Sequence, residues 1–262
     1  MSQPSYTETA FKDFIGEQGR LQLQATTFLK QEFALLQQHG LSGCQSVLDI
    51  GCGKGELAAM VAMLTGNATV HAIDNNAAFI QGNAVTYRSV ENLHFFPLAA
   101  ADELPTTYDL MYAKFVFQHL ADPAGILQQL KASLKESGRL VIIDVCDEWI
   151  SMDPAIPPLQ SLILKSIGVQ QERSGNRLIG KQLVNLLKRA GYTNLRLDLV
   201  PITTEQIGID AFFQLVFSYR ANFSTNDVDL PALYHQAVEK VKVLDHFFCT
   251  TLICCVSGER PL

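Results

Sequence analysis

The chain has 262 residues, enough for one α/β domain with decorations or for one domain plus a small cap. A hydrophobic content of 48% is ample for a buried core, which excludes disorder as the default state. The net charge of −6 and the lack of a Lys/Arg block argue against nucleic acid as a partner, because nucleic-acid binders depend on a basic surface.

The N-terminal residues, the apolar runs and the cysteines indicate the cellular compartment of the protein. The first residues, MSQPSYTETAFKDF, have neither the basic region nor the apolar region of a signal peptide. No run reaches the roughly 18 apolar residues that a membrane span needs. None of the six cysteines forms a CxxC pair, and most lie in apolar runs. We therefore expect a cytoplasmic protein without a membrane segment, with reduced, buried thiols and no metal; disulfides or a metal site are the alternative.

The first half of the chain alternates predicted helices and strands. A helix is predicted over residues 8–39, with Gly40 as its stop. Apolar residues at i, i+3, i+4 and i+7 predict a helix over Glu56–Leu64. The other elements of this half are strands at Ser46–Ile50, Thr69–Ile73 and Leu93–Phe96, with a helix between the last two that ends at about Val90.

The second half continues the alternation. Asp122 and Pro123 begin a helix, because Asp suits the N-cap and Pro the first helical position. Leu140–Val145 is the most apolar strand, as expected for a central parallel strand covered on both faces. The remaining elements are strands at Asp109–Ala113, Leu195–Val200 and Phe247–Val256, and helices at Gln182–Ala190, 205–220 and 230–245. This order predicts an open, mostly parallel sheet with helices on both faces.

Three glycines follow the first strand in VLDIGCGKGEL, at Gly51, Gly53 and Gly55. They let the chain pass close to a ligand at the sheet edge where α/β proteins bind ligands. A dinucleotide fingerprint would have its third glycine where Glu56 stands, and an acidic side chain there repels a pyrophosphate. Asp74, at the end of the second strand, suits both hydroxyls of a ribose. The pattern therefore indicates a nucleoside that lacks a pyrophosphate.

The glycine segment resembles motif I of the class I S-adenosylmethionine-dependent methyltransferases, and the resemblance continues through most of residues 45–257. The stretches YDLMYAKFVFQHLADP, SGRLVIIDV and LLKRAGYTNLRLDL are similar to the family's later strands and the helix between them. The resemblance implies a Rossmann-like sheet of seven strands, the last antiparallel, in residues 45–262. It also implies an N-terminal helical cap at residues 1–44, and helical insertions at about 146–178 and 201–246.

The resemblance also implies a set of contacts with S-adenosylmethionine and its product S-adenosylhomocysteine. Gly51 and Gly53 would contact the methionine part, with Asp49 nearby and Cys52 as a small filler between the glycines. Asp74 would bind the ribose, and Asn75, Ala101 and Asp102 would lie near the adenine. Lys114 and Phe115 would face the cofactor. One departure is that Ala100 stands where the family often has an Asp on the adenine amino group. Asp102 or backbone carbonyls would substitute for it.

Three further residues have two interpretations each. His119, just beyond the fourth strand, is either a base or substrate contact that titrates near the reference value of about 6.5, shifted by its surroundings, or a packed histidine. Asp144 either touches substrate or satisfies a backbone group. Arg20, at helical spacing from Glu17, either pairs with the methionine carboxylate or forms a Glu–Arg pair on a solvated face.

The leading hypothesis is transfer of a methyl group from S-adenosylmethionine to N, O or C of a small organic molecule, mainly by positioning and exclusion of water. The phenylalanines and tyrosine of residues 212–223 would help to form the acceptor pocket. Two alternatives stay open. A protein or tRNA methyltransferase would show a basic rim around the site. A protein that binds the cofactor without methyl transfer would produce no S-adenosylhomocysteine. The sequence does not indicate an oligomeric state.

Overall fold

Eight strands form one mixed sheet in the part of the chain that the structure describes. The computed structural model describes residues 11–224 and 229–262, apart from the side chains of Phe14, Ile15 and Gln18. The strands are β1 (Ser46–Ile50), β2 (Thr69–Ile73), β3 (Leu93–Phe96), β4 (Tyr108–Lys114), β5 (Leu134–Val145), β6 (Ser151–Asp153), β7 (Thr193–Thr203) and β8 (Phe248–Glu259).

The sheet is parallel from β3 to β5 and antiparallel beyond. Its order is β3-β2-β1-β4-β5-β8, and β7 pairs with the other edge of β8. This confirms the predicted parallel sheet with an antiparallel last strand. The short strand β6 was not predicted. It pairs with residues 248–250 of β8 and so prolongs the line of β5. Three residues, Ser-Met-Asp, are too few to show an alternating pattern, so β6 depends on its tertiary partner.

Helices cover both faces of the sheet. Those of the described residues are α1 (Phe14–Leu36), α2 (Glu56–Thr65), α3 (Ala77–Thr86), α4 (Pro123–Ser133), α5 (Pro157–Glu172), α6 (Leu183–Arg189), α7 (Thr204–Ile207), α8 (Ile209–Val216), α9 (Ser218–Ala221) and α10 (Leu230–Lys242). Helix α4 begins as predicted, because the Asp122 carboxylate accepts from the Gly125 N–H at 2.9 Å and proline follows it. None of these helices, within the residues described, combines the length and apolarity that crossing a bilayer requires.

Two predicted helices differ from the observed ones. The helix predicted over residues 8–39 starts at Phe14 and passes into a π turn at Gln37–Leu41, where Gly40 has φ 111°; its residues 8–10 lie outside the described part of the chain. The helix predicted over 205–220 is three short helices. Gly208, with φ 83°, separates the first two, and a side-chain cap from Thr203 starts the first. Periodicity alone did not predict these breaks, because they depend on single backbone angles.

The core lies in two layers, one on each face of the sheet. Along β4, Leu110 and Tyr112 face one layer, and Met111 and Ala113 face the other. Alternate residues of a strand point to opposite faces, so a strand buried on both sides is apolar throughout. The layer that contains Leu110 also includes Phe28, Leu35 and Leu36 of α1. The N-terminal helix therefore shares a core with the sheet, and the predicted boundary at residue 44 stays a prediction.

Candidate functional site

A cavity of about 1210 Å³ opens at the carboxyl ends of the parallel strands. The strand ends and the turns after β1, β2 and β4 line one side of it, and α1 and α8 line the other. Parallel α/β sheets bind ligands at this edge. Typical small-ligand pockets measure about 300–1,000 Å³, so this cavity has room for two small molecules.

The glycine turn after β1 forms one wall. Gly51, Gly53 and Gly55 all have positive φ, at 70°, 54° and 78°. A Cβ on Gly51 would lie 2.5 Å from Cγ2 of Val116, so any side chain there would clash. Apart from its two chain neighbours, no described residue would have an atom within 4 Å of a Cβ on Gly53, so this position faces open space. The turn therefore presents bare backbone to the cavity, as predicted from the glycine spacing.

Asp74 connects the glycine turn with the end of β2. Its Oδ2 accepts from the Gly53 N–H at 2.9 Å, and its Oδ1 accepts from the Asn76 N–H at 2.8 Å. Burial raises the pKa of this carboxyl, and the two backbone donors oppose that shift. A carboxylate has about four acceptor sites, so the two that remain can accept from two hydroxyl groups of a ligand. Asp74 and its neighbour Asn75 both line the cavity.

Asn83 of α3 supports the same turn and was missed by the sequence analysis. Its side-chain amide donates to the Gly53 carbonyl at 2.8 Å, and the residue is only 5% exposed. A polar residue within an otherwise apolar helical face was the available signal. Together with Asp74, Asn83 holds both the N–H and the carbonyl of Gly53, which fixes the turn in place.

Asp49 and Cys52 lie beside the glycines. Asp49 is buried beneath the cavity rather than lining it, and its Oδ2 accepts from the Tyr112 hydroxyl at 2.9 Å. Burial raises the pKa of Asp49 to about 7. Cys52 lines the cavity, and burial raises its pKa well above the usual thiol value. A thiol held protonated in this way is a poor nucleophile, in keeping with the predicted filler.

The predicted adenine side is apolar. Ala100 and Ala101 line the cavity together with Phe79 and Leu98. Asp102 does not line it: the residue is exposed, and its Oδ2 accepts from the Ala99 N–H of its own loop at 2.7 Å. The structure therefore does not bring the Asp102 carboxylate to the cavity, contrary to the expectation for this residue.

Lys114 and Phe115 leave β4 at the cavity. The Lys114 ammonium donates to Glu32 Oε2 of α1 at 2.9 Å. Glu32 is 2% exposed, burial raises its pKa, and its Oε1 has no hydrogen-bond partner among the described residues. Phe115 has φ 56°, an unusual angle for a bulky residue that indicates backbone strain at this edge.

Arg20 lies on the opposite side of the cavity, in α1. Its Nε and Nη2 donate to the two oxygens of Glu17 at 2.9 and 2.5 Å, and its Nη1 donates to Gln24 at 2.8 Å. Glu17 and Arg20 are 2% and 9% exposed. The Glu–Arg pair of the sequence analysis is therefore present, but the solvated face is wrong, because α8 covers the pair: Arg20 also contacts the Leu215 carbonyl.

His119 lines the cavity, and its Nδ1 lies 3.3 Å from the side-chain amide nitrogen of Gln170. An amide nitrogen only donates, so Nδ1 accepts and the neutral ring carries its hydrogen on Nε2. Burial, followed by the charges of Arg177 and Arg20, lowers the pKa of His119 to about 3. The ring is therefore neutral at physiological pH, and its titration lies far below the reference value. Both features disfavour a proton-accepting role.

A buried ionic cluster lies next to His119 and was not predicted. Arg177 Nε and Nη2 donate to Asp147 at 3.0 and 2.7 Å. Arg220 Nη1 donates to Asp147 and to Ser166, both at 2.7 Å. Although burial alone would raise it, the two guanidinium groups hold the pKa of Asp147 well below its usual range. The members are far apart in sequence and match no local pattern, so sequence reasoning had no signal for them.

Of the two roles considered for Asp144, contact with substrate or bonding to backbone groups, the structure shows the second. It is fully buried, and its oxygens accept from the backbone N–H groups of Gln118 at 3.1 Å and Val145 at 2.9 Å. It does not line the cavity. Metal binding has no support in the described residues, which bring no three His, Cys, Asp or Glu side chains together as a metal site. All six cysteines are free, and four of them are buried.

Comparison with known proteins places these features in context. A methyltransferase-domain family model matches residues 48–140. The chain is 30% identical over 105 residues to a tRNA U34 carboxymethyltransferase of Alteromonas mediterranea, which covers 37% of this chain and 32% of that protein. It is 23% identical over 203 residues to a malonyl-[acyl-carrier protein] O-methyltransferase of Halalkalibacterium halodurans, covering 75% and 73%.

Solved structures share the fold. Phosphoethanolamine N-methyltransferase 2 of Haemonchus contortus, in complex with S-adenosyl-L-methionine, superposes with a TM-score of 0.59 at 17% identity, covering 89% of this chain and 53% of that one. The chain spans less than two thirds of the length of two curated relatives that it matches at 30% identity, 32% of one and 63% of the other.

Proposed function

We propose that the chain is a class I S-adenosylmethionine-dependent methyltransferase and that it transfers a methyl group from S-adenosylmethionine to N, O or C of a small organic molecule. The observation that carries the proposal is the pairing of Asp74 with the bare turn at Gly53, both facing a cavity large enough for two ligands.

The remaining acceptor sites of Asp74 and the open space at Gly53 support one placement of the cofactor. Asp74 would accept from the two ribose hydroxyls, and the open face of Gly53 would lie against the methionine part. Asn75, Ala100 and Ala101 would surround the adenine, which needs mostly apolar contact. Lys114 would lie beside the cofactor, its charge held by Glu32. Arg20 would place a positive charge near the cofactor from α1. Its guanidinium is not bare, because two of its nitrogens already donate to Glu17.

The N-terminal helix α1 is part of this proposal as one wall of the site. Leu21, Ala25 and Phe28 line the cavity, while other residues of α1 join the core. A helix in this position keeps water from the reacting atoms, which strengthens electrostatic interactions and prevents side reactions. We infer that residues 11–44 act as the predicted cap over the cofactor.

Held by Asp74 and the turn at Gly53, the cofactor would supply an activated methyl group for a lone pair of the acceptor. A base is needed only if the acceptor atom arrives protonated. The protein's residues then have to hold the acceptor in line and exclude water. The neutral His119 ring is poorly suited to remove a proton, because its Nδ1 already accepts from Gln170 and its Nε2 carries the ring hydrogen. Positioning is therefore the main source of rate in this proposal.

A small molecule fits the cavity better than tRNA or protein. Four basic residues line it, Arg20, Lys54, Lys114 and Arg177, and four acidic ones, Glu56, Asp74, Asp122 and Asp147. A nucleic-acid enzyme needs a surplus of basic charge at the mouth of its site, because phosphate contacts dominate its affinity. The relatives at this identity include both small-molecule and tRNA enzymes, so the charge balance is what favours the small molecule.

Calorimetric titration with S-adenosylhomocysteine, S-adenosylmethionine and NAD tests the cofactor. We expect binding of the first two and weaker binding of NAD, because Glu56 stands where a pyrophosphate would lie. Tighter binding of NAD would overturn the proposal. Incubation with S-adenosylmethionine and a panel of metabolites, tRNA and protein then tests the transfer. If the cofactor binds but none of the acceptors in the panel leads to S-adenosylhomocysteine, the result would favour a cofactor-binding protein without methyl transfer.

A further inference from the structure

One wall of the cavity, which we assign to the methyl acceptor, includes the side chain of a buried tyrosine. Tyr219 lines the cavity and is 9% exposed. Its hydroxyl is buried and has no hydrogen-bond partner among the described residues. Buried polar groups in native proteins nearly always have a partner. Because Tyr219 lines the cavity, a ligand for which the side chains closing over this hydroxyl move aside would complete it.

The neighbouring arginines also retain unused donors. A guanidinium has five N–H groups, and Arg177 uses three of them, two on Asp147 and one on Gln118 Oε1. Arg177 lines the cavity. Behind it, Arg220 is fully buried, and its Nη2 has no partner in the described part of the chain. The Tyr219 ring lies 5.2 Å from the Arg177 guanidinium and 5.0 Å from that of Arg220.

The acceptors of this region are already engaged. Asp147 accepts from Arg177 on both oxygens and from Arg220 on one of them. Asp144, the other carboxyl near Arg177, directs both oxygens to backbone N–H groups and does not line the cavity. Among the described residues, the two carboxyls beside these arginines are therefore already engaged, and a ligand rich in oxygen acceptors would satisfy the unused donors.

Charge indicates the same class of ligand. Arg177 and Arg220 share one carboxylate at the cavity, that of Asp147. Burial raises the pKa of the other nearby carboxyl, Asp144, to about 7, so its charge offsets the two guanidinium groups only in part and a positive surplus remains. The third guanidinium near the Tyr219 ring, that of Arg20, is matched by Glu17. Beyond the ring, Leu215, Val216 and Phe223 make the wall apolar. The combination suits a molecule with an anionic group and an apolar body.

We propose that the methyl acceptor carries an oxyanion, a carboxylate or a phosphate, which Tyr219 and Arg177 bind through hydrogen bonds. This inference rests on the proposed function and names the substrate class of that same cavity. The inference names the group of the acceptor that the protein binds, and it does not name the atom that receives the methyl group.

Calorimetry with matched probes tests the inference. Hexanoate, hexyl phosphate and hexanamide share an apolar chain and differ in their polar end. Each is titrated into the full chain, both free and saturated with S-adenosylhomocysteine. We expect at least one of the two anions to bind about 10-fold or more tightly than hexanamide, since a hydrogen bond to a charged group is worth about 1.5–3 kcal/mol. The order of the two anions distinguishes carboxylate from phosphate. Anions that bind no better than the amide would overturn the inference.

The variant Tyr219→Phe removes only the unpartnered hydroxyl. Because that hydroxyl has no internal hydrogen bond to lose, the melting temperature should stay unchanged while anion affinity falls about 10-fold. The matched control Tyr234→Phe, on α10 and outside the cavity, should change neither. Unchanged anion affinity in Tyr219→Phe would count against the inference. If S-adenosylhomocysteine fails to bind, the proposed function fails, but titration of the free chain still decides the anion preference.

Discussion

The two ends of the cavity are built in different ways. The proposed cofactor end consists of backbone groups from a few consecutive residues, Gly51 to Gly53, held by Asp74 and Asn83. The proposed acceptor end is built on charged side chains from distant segments, with Asp147, Arg177 and Arg220 meeting in the interior. The first kind of site presents a fixed shape at little electrostatic cost. The second places charges where their removal from water must be offset by one another.

This difference leads to a general expectation. Changes at the cofactor end should alter ligand affinity with small effects on stability. Changes to the charged cluster of Asp147, Arg177 and Arg220 should alter stability first, because each charge of the cluster compensates another. The predictions below test that contrast, and a result that reverses it would show that the two ends are not separate in their energetics.

The largest effect is expected for Asp147→Asn. The substitution leaves Arg177 and Arg220 buried without their shared carboxylate, so the free energy of unfolding should fall by about 3–5 kcal/mol. Chemical denaturation measures it. The matched control is Glu148→Gln in the adjacent pair with Lys181, whose side chains are 52% and 40% exposed. That surface pair should contribute about 0–1 kcal/mol. Equal losses in the two variants would contradict the role of the cluster.

A moderate effect is expected for Asp74→Asn, on affinity rather than on stability. Replacement of the carboxylate should weaken S-adenosylhomocysteine binding by about 1–3 kcal/mol, because ribose hydroxyls lose a charged acceptor. The amide oxygen keeps one of the two backbone bonds, so the melting temperature of the free protein should fall only slightly. Asp74→Ala should lower it more, since both the Gly53 and Asn76 N–H groups lose their acceptor.

Asp102→Asn provides the comparison for Asp74. The Asp102 carboxylate caps its own exposed loop, so the substitution should leave cofactor affinity as in the original protein. Calorimetry on the three variants measures the contrast. A loss in Asp102→Asn as large as that in Asp74→Asn would return Asp102 to the adenine site and remove the distinction drawn from the cavity wall.

The smallest effect is expected for His119→Gln, which keeps a side-chain donor. Turnover should fall less than about 10-fold, below the 10²–10⁴ expected for loss of a general base. The pH profile of kcat/KM should show no inflection near pH 6–7 that the substitution removes, because the pKa of His119 lies at about 3. Loss of such an inflection in the variant would restore His119 as the base.

The same shift has a consequence for stability. A histidine whose pKa is lowered on folding contributes stability above its unfolded value of about 6.5, and this contribution is lost as the pH falls toward the folded value. The stability of the original protein should therefore fall more between pH 6.5 and 4 than that of His119→Gln. Thermal denaturation across this range measures the difference between the two proteins.

Much of the sheet was predictable because its signals are local. The strands Ser46–Ile50, Thr69–Ile73 and Leu93–Phe96 begin and end where the apolar runs do. By contrast, strand β6 at Ser151–Asp153 depends on pairing with β8, and the break between two helices at Gly208 depends on one backbone angle. The hydrophobic periodicity of the sequence does not predict such features.

By itself, the sequence determined the parallel sheet, the turn at Gly51 to Gly55 and the position of Asp74, because hydrophobic period and glycine spacing act over a few residues. Only the tertiary structure decided that Asp102 turns away from the cavity, that His119 is neutral and that Asp147, Arg177 and Arg220 form one cluster. The physical reason is that burial and charge pairing depend on which segments the fold brings together, and no local pattern encodes that distance.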